Sequence, residues 1–149
     1  MKQLIFLLGF IALGVFASCE RDSTSLELPN TVKVDGLWEV IAYNDSMAIS
    51  TPFSIQTLTR ENSMGRDSLV IKDSQNEFWN FQVSSAVNKK LGAFETELSS
   101  CEVCEEQIGI IVSNGKIINN DSIHFEIKFE DDETPFANNY IIKGRRVKG

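Results

Sequence analysis

Ser122-Ile123-His124-Phe125-Glu126-Ile127-Lys128-Phe129 is the stretch that decides the fold. Every second residue is apolar and the residues between are polar or charged, so an extended chain shows one greasy face and one wet face. An α-helix repeats its faces every 3.6 residues and cannot use a strict period of two. The pattern is that of a half-buried antiparallel strand.

The same alternation recurs on both sides of this stretch. It puts Trp38, Val40 and Ala42 on one face, Trp79, Phe81 and Val83 on another, Ile108, Ile110 and Val112 on a third, and Tyr140 with Ile142 on the last. Shorter candidates lie at residues 53–58, 69–72 and 93–98. Turn-forming clusters separate them, among them Asn44-Asp45-Ser46, Ser63-Met64-Gly65, Asn88-Lys89-Lys90, Asn114-Gly115 and Asn119-Asn120-Asp121. No stretch of helical length carries a 3.6-residue apolar stripe. The expected fold is all-β, an up-and-down antiparallel meander of about eight strands that closes into a barrel and so removes both sheet edges. Its interior can be filled by side chains or can hold one small apolar ligand, and alternation alone does not choose between these.

The N-terminus reads differently. Lys2 precedes a continuous apolar run from Leu4 to Ala17, followed by Ser18-Cys19. A cationic start, a short apolar stretch and small residues before a cut site form a secretory signal, and the run is shorter than the roughly 20 residues of a spanning helix. Phe16-Ala17-Ser18-Cys19 resembles a bacterial lipoprotein lipobox, which implies cleavage before Cys19 and lipidation of its thiol. Residues 1–18 are then a signal peptide, residues 19–34 the lipidated cysteine with a flexible polar tether, and residues 35–149 one barrel domain. The expected location is the outer membrane, lipid-anchored, with the domain facing the periplasm or the cell surface.

The chain of 149 residues carries a formal net charge of -7. Nucleic-acid phosphates require clustered Lys and Arg, and the one dense basic group is Lys143, Arg145, Arg146 and Lys148 at the C-terminus. The same balance disfavours anionic membrane surfaces, apart from the lipid anchor.

Gly36-Leu37-Trp38 resembles the Gly-x-Trp that opens lipocalin-like barrels. With Phe78-Trp79-Asn80-Phe81, Ser113-Asn114-Gly115-Lys116-Ile117, Asp121-Ser122-Ile123-His124-Phe125 and the terminal Gly144-Arg145-Arg146-Val147-Lys148-Gly149, the chain resembles the Bacteroidetes lipoproteins called lipid-binding putative hydrolases. The resemblance implies a lipocalin-like barrel on a lipid anchor that binds a lipid or another small hydrophobic molecule. It supplies no catalytic residue. In such barrels Trp38 plugs the closed end, with Arg145 or Arg146 packed on its ring as a cation on an aromatic face. Ligand contact then falls on inward residues nearer the open end, with Phe81, Ile110, Phe125 and Ile127 as candidates.

Little else points to chemistry. A serine hydrolase wants a Gly-x-Ser-x-Gly elbow or a converging serine, histidine and carboxylate, and the sole histidine, His124, falls on the wet face. Glu130-Asp131-Asp132-Glu133 lacks the Gly-punctuated spacing of a calcium loop and reads as a hydrated turn. Cys101 and Cys104, three residues apart, would sit about 10 Å from each other in a strand, beyond disulfide reach, so the pair predicts a turn closed by a disulfide outside the cytoplasm. No cofactor and no metal are expected. The resulting expectation is a non-catalytic, membrane-anchored barrel that binds a small hydrophobic ligand. The alternatives are a solid barrel acting as an accessory or interaction module with an envelope protein partner and, as outsider, an esterase-like hydrolase.

Overall fold

The computed structural model of the chain describes residues 31–61, 65–73 and 75–148. The signal peptide, Cys19 and most of the tether lie outside the described residues. The described chain forms ten strands: β1 (Gly36–Asn44), β2 (Met47–Ala48), β3 (Phe53–Glu61), β4 (Asp67–Asp73) and β5 (Gln82–Asn88), then β6 (Ala93–Glu95), β7 (Ser99–Ser100), β8 (Gly109–Ile118), β9 (Ser122–Phe129) and β10 (Tyr140–Arg146). Eight of them, β1-β3-β4-β5-β6-β8-β9-β10, pair antiparallel in that order, and β10 returns to β1 to close the barrel. The closing seam runs from Trp38 opposite Arg146 to Asn44 opposite Tyr140. β2 folds back on the end of β1, and β7 continues the line of β6 along β8.

The period of two places the apolar residues inside. Trp38, Ile55, Ile71, Val83, Phe125 and Ile127 are all completely buried, and their neighbours along each strand are more exposed except Val70, which is 2 % exposed. Trp79 shares the inward parity of Phe81 and Val83 but lies before β5, in the loop that follows β4.

Asn114-Gly115, expected to separate two strands, instead lies within β8 as a bulge. Ser113 pairs with Glu126 and Lys116 with His124, so β8 spends three steps where β9 spends two. Asn114 adopts φ 52°, the left-handed conformation that an Asn-Gly step accommodates in a turn and in a bulge alike. The inserted residue rephases the strand: Ile110 and Val112 face inward before it, and Gly115 and Ile117 after it. Were the same residues to run on as a regular strand, Ile117 would point to solvent.

Residues 32–34, which the sequence places in the tether, are docked on the barrel. Val32 N donates to the Lys89 carbonyl at 2.8 Å, Lys33 N to Asn120 Oδ1 at 2.8 Å, and Val34 is 2 % exposed. Their apolar side chains complete the end at which β1 begins.

Candidate binding site at the aromatic end of the barrel

The two ends are closed by different means. At the end where β1 starts, Trp38 lies across the bore and donates from Nε1 to Thr57 Oγ1 at 2.8 Å; the Thr57 hydroxyl in turn donates to the Val34 carbonyl at 2.6 Å. A buried indole N–H needs such an acceptor, and the inward Thr57 supplies it at no cost in unpaired groups. The guanidinium of Arg146 sits 4.1 Å from the Trp38 ring centre and donates to the carbonyls of Asn120, Asp35 and Lys33. Burial lowers the affinity of this guanidinium for its proton, and nearby Asp35 opposes that shift. Gly36 leaves room for it, since a Cβ there would lie 2.0 Å from Arg146 Nη1. Arg145 points the other way, exposed and opposite Glu39. Parity decides between the two arginines: Arg146 shares the inward phase of Tyr140 and Ile142.

At the other end the bore is covered by stacked rings. The β4–β5 loop carries Phe78 and Trp79, both half-buried. Phe78 stacks on Phe53 at 5.2 Å and meets Tyr140 edge-on at 5.6 Å, while Trp79 lies parallel to Phe129 at 4.3 Å. Asp73, buried at the end of β4, shapes the loop by accepting from the backbone N–H groups of Gln75, Phe78 and Trp79. Asp132 in the β9–β10 loop is also buried and accepts from Tyr140 Oη at 2.9 Å and Asn138 Nδ2 at 2.8 Å. Burial, this hydrogen bond and the charge of Asp132 push the Tyr140 hydroxyl up to about 12. The acidic run is therefore tied to the wall through Asp132, and among the described residues no group of three His, Cys, Asp or Glu is placed to hold a metal ion.

The third wall of this end is the loop from β7 to β8, where Cys101 and Cys104 are joined in a disulfide with their Cα atoms 5.6 Å apart. Glu102 anchors that loop to the outside of β5, accepting from Ser84 Oγ and Gln82 Nε2 and pairing with Arg60 at 3.4 Å. Partial burial would raise its carboxyl, but these hydrogen bonds and the Arg60 charge outweigh it and hold the group below the usual carboxylate range. Between the three loops lies an open groove of about 490 Å³, lined by Phe78, Trp79, Asn80, Cys104, Ile108 and Asp131 among others. Further grooves of about 440 and 380 Å³ lie elsewhere on the outside of the barrel, by the β8 bulge and along the β1–β10 seam.

All four residues singled out as ligand candidates face the interior. Phe81 contacts Phe129 at 5.7 Å, Ile110 pairs opposite Phe129, and Ile127 opposite Tyr140, so these three lie directly beneath the aromatic cover. Phe125 is deeper, opposite Ile142 and 5.8 Å from Phe94. The cover itself, Phe78 and Trp79 over Phe53, Phe129 and Tyr140, was not anticipated as a unit. Its sequence signal is two adjacent large rings in a polar loop, which a buried strand does not require. Thr57 and Asp73 carry no signal of their own, because an inward polar residue is recognised only once its partner is known, and Asp132, expected in a hydrated turn, is instead buried against Tyr140 and Asn138. His124 lies on the outer surface, between Lys116 of β8 and Lys143 of β10.

No curated protein matches the chain. The sequence profile of the family described as lipid-binding putative hydrolase matches residues 24–149, the whole barrel together with the segment leading into it. With that match over most of its length, this chain belongs to the lipid-binding putative hydrolase family.

Proposed function

We propose that the chain is a lipid-anchored envelope protein whose barrel binds one small hydrophobic or lipid ligand through its aromatic end, without catalysing a reaction. Family and barrel fold support the lipid-binding role. The observation that carries the choice of end is the contrast in closure. Trp38 lies under an Arg146 guanidinium held by three backbone carbonyls, whereas Phe78 and Trp79 sit on a loop that closes the bore by ring contacts and is tied to its neighbours by single hydrogen bonds, Ser54 N to Glu77 at 2.9 Å and Trp79 Nε1 to Asp131 at 3.4 Å. Lifting that loop exposes Phe81, Ile110, Ile127 and Phe129, and an acyl chain taking its place would gain about 0.8 kcal/mol for each methylene it buries. Lipidation at Cys19 would keep the domain at the outer membrane, on its periplasmic or cell-surface side.

The placement of His124 on the outer wall between two lysines supports a non-catalytic role, since it has no serine elbow to activate. A second reading, a solid barrel that acts as an interaction module of the envelope, draws on the complete burial of inward side chains such as Ile110, Phe125 and Ile127.

Trp79→Ala tests the choice of end. It removes a stacked ring from the cover while leaving the barrel wall intact, so affinity for a fluorescent fatty acid is expected to fall roughly tenfold, the equivalent of about 1.4 kcal/mol. Equal affinity in a folded variant would rule out this end as the way in.

A further inference from the structure

A meander alternates its connections between the two ends of the barrel, and this separates the charges of the chain. The connections at the plugged end carry Lys33, Arg66, Lys89, Lys90 and Lys148 against Asp35 and Asp121. Those at the aromatic end carry Asp45, Glu77, three glutamates between residues 102 and 106, and the run Glu130-Asp131-Asp132-Glu133, without a single Lys, Arg or His. The net charge of -7 conceals a molecule with one basic end and one strongly acidic end. Lys89 is paired with Asp67 at 2.8 Å, which reduces the basic end without reversing its sign.

We propose that the plugged end docks against an anionic phospholipid surface and that the aromatic end points away from it. This rests on the proposed lipidation of Cys19 for bringing the barrel to a membrane, and on charge for its orientation. Val32 binds Lys89 at the basic end, so the described chain begins there. Eleven residues separate Cys19 from Thr31; they reach at most about 40 Å, more than the length of a ten-residue strand, so the tether alone does not choose which end faces the lipid. Charge does. A negative surface attracts basic groups within about a Debye length and repels the acidic end. Leu91, 64 % exposed at the tip of the β5–β6 turn beside Lys90, and Val147, 42 % exposed beside Lys148, pair apolar tips with cations, the combination that suits the headgroup region. Apolar side chains such as Met47 and Leu98 are exposed toward the other end as well, but there the neighbouring loops are acidic.

The full chain carrying Leu91→Trp or Glu106→Trp, each at an exposed site, reports the orientation on vesicles of phosphatidylethanolamine and phosphatidylglycerol with brominated acyl chains. Quenching above that of the parent is expected to be at least twofold for Leu91→Trp and absent for Glu106→Trp. It is expected to disappear when Lys89 and Lys90 are both changed to Glu. Quenching of Glu106→Trp, or of neither reporter, overturns the proposal. Incorporation of labelled fatty acid, with Cys19→Ala as control, reads the anchor separately. A lipidated chain that stays on the vesicles with Leu91→Trp unquenched refutes docking and keeps the anchor. If no label enters, the same vesicles are tested with the unlipidated chain at low salt, where quenching of Leu91→Trp supports docking and its absence refutes it.

Discussion

Replacing Trp38 with alanine is expected to destabilise the barrel by about 3–5 kcal/mol, the usual cost of truncating a fully buried aromatic side chain. Trp38 is completely buried and is the largest side chain in the bore. Its removal takes the ring face from Arg146 and the donor from Thr57. The guanidinium stays bound to its carbonyls, so the end keeps its lattice of hydrogen bonds around a void. For a domain of this size the loss corresponds to a fall in Tm on the order of 10–20 °C, a large share of the stability of an ordinary domain. Trp38→Phe keeps most of the packing and gives up the Nε1 bond, so it is expected to lose about 1 kcal/mol. Thermal unfolding of the three chains orders these effects. A Trp38→Ala barrel that melts within about 3 °C of the parent would contradict the role of Trp38 as the plug.

Replacing Asn114 with valine is expected to destabilise the barrel by about 1–3 kcal/mol. A β-branched side chain does not tolerate φ 52°, so β8 either holds a strained backbone there or runs on without the bulge, keeping all its residues, and then presents Lys116 to the core and Ile117 to solvent. Burying an unpaired ammonium costs several kcal/mol on its own, and the partner strand β9 offers only Ile123 and Phe125 on that face. Asn114 also donates from Nδ2 to Glu126, whose other oxygen takes Asn139. Those two hydrogen bonds hold the Glu126 carboxyl below its usual range and link the bulge to the β9–β10 loop. Asn114→Gly keeps the left-handed backbone at φ 52° and loses only that link, so it is expected to fold with a loss of about 1 kcal/mol. Circular dichroism and a urea melt separate the two variants. An Asn114→Val chain with the parent's midpoint would mean that the left-handed bulge does not set the phase of β8.

The parts of this fold that are legible in the sequence are those governed by local periodicity. Strand β9 alternates without a fault and is identified at once, and the inward set Trp38, Val40, Ala42 follows by the same rule. Parity also contains information that a motif-level reading passes over: counting on from Tyr140 and Ile142 selects Arg146 over Arg145 as the residue on the plug. The bulge is illegible for a physical reason. Asn114-Gly115 asks for a left-handed backbone whether it turns the chain or interrupts a strand, and only pairing with β9 distinguishes the two. Thr57 and Asp73 are silent in the same sense, since their partners, the Trp38 indole and the Phe78 and Trp79 amides, are brought to them by tertiary structure.

The separation of charge between the two ends belongs in between. Net charge averages it away, yet an up-and-down order assigns successive connections to opposite ends, and Lys89-Lys90 and Glu130-Asp131-Asp132-Glu133 then fall apart without any coordinates. The docked residues 32–34 show the limit of composition as a guide to boundaries. Val32 and Val34 are two apolar residues at the end of a polar tether, and their burial depends on a barrel end that only the closed sheet creates.

The central claim is that the barrel accepts an apolar ligand. Native mass spectrometry with lipid extraction, on the chain from Glu20 onward secreted without its anchor and purified under mild conditions, tests it most directly. A one-to-one adduct of fatty-acid or phospholipid mass is the expected result, and a clean apo mass that persists after incubation with mixed lipids would contradict it.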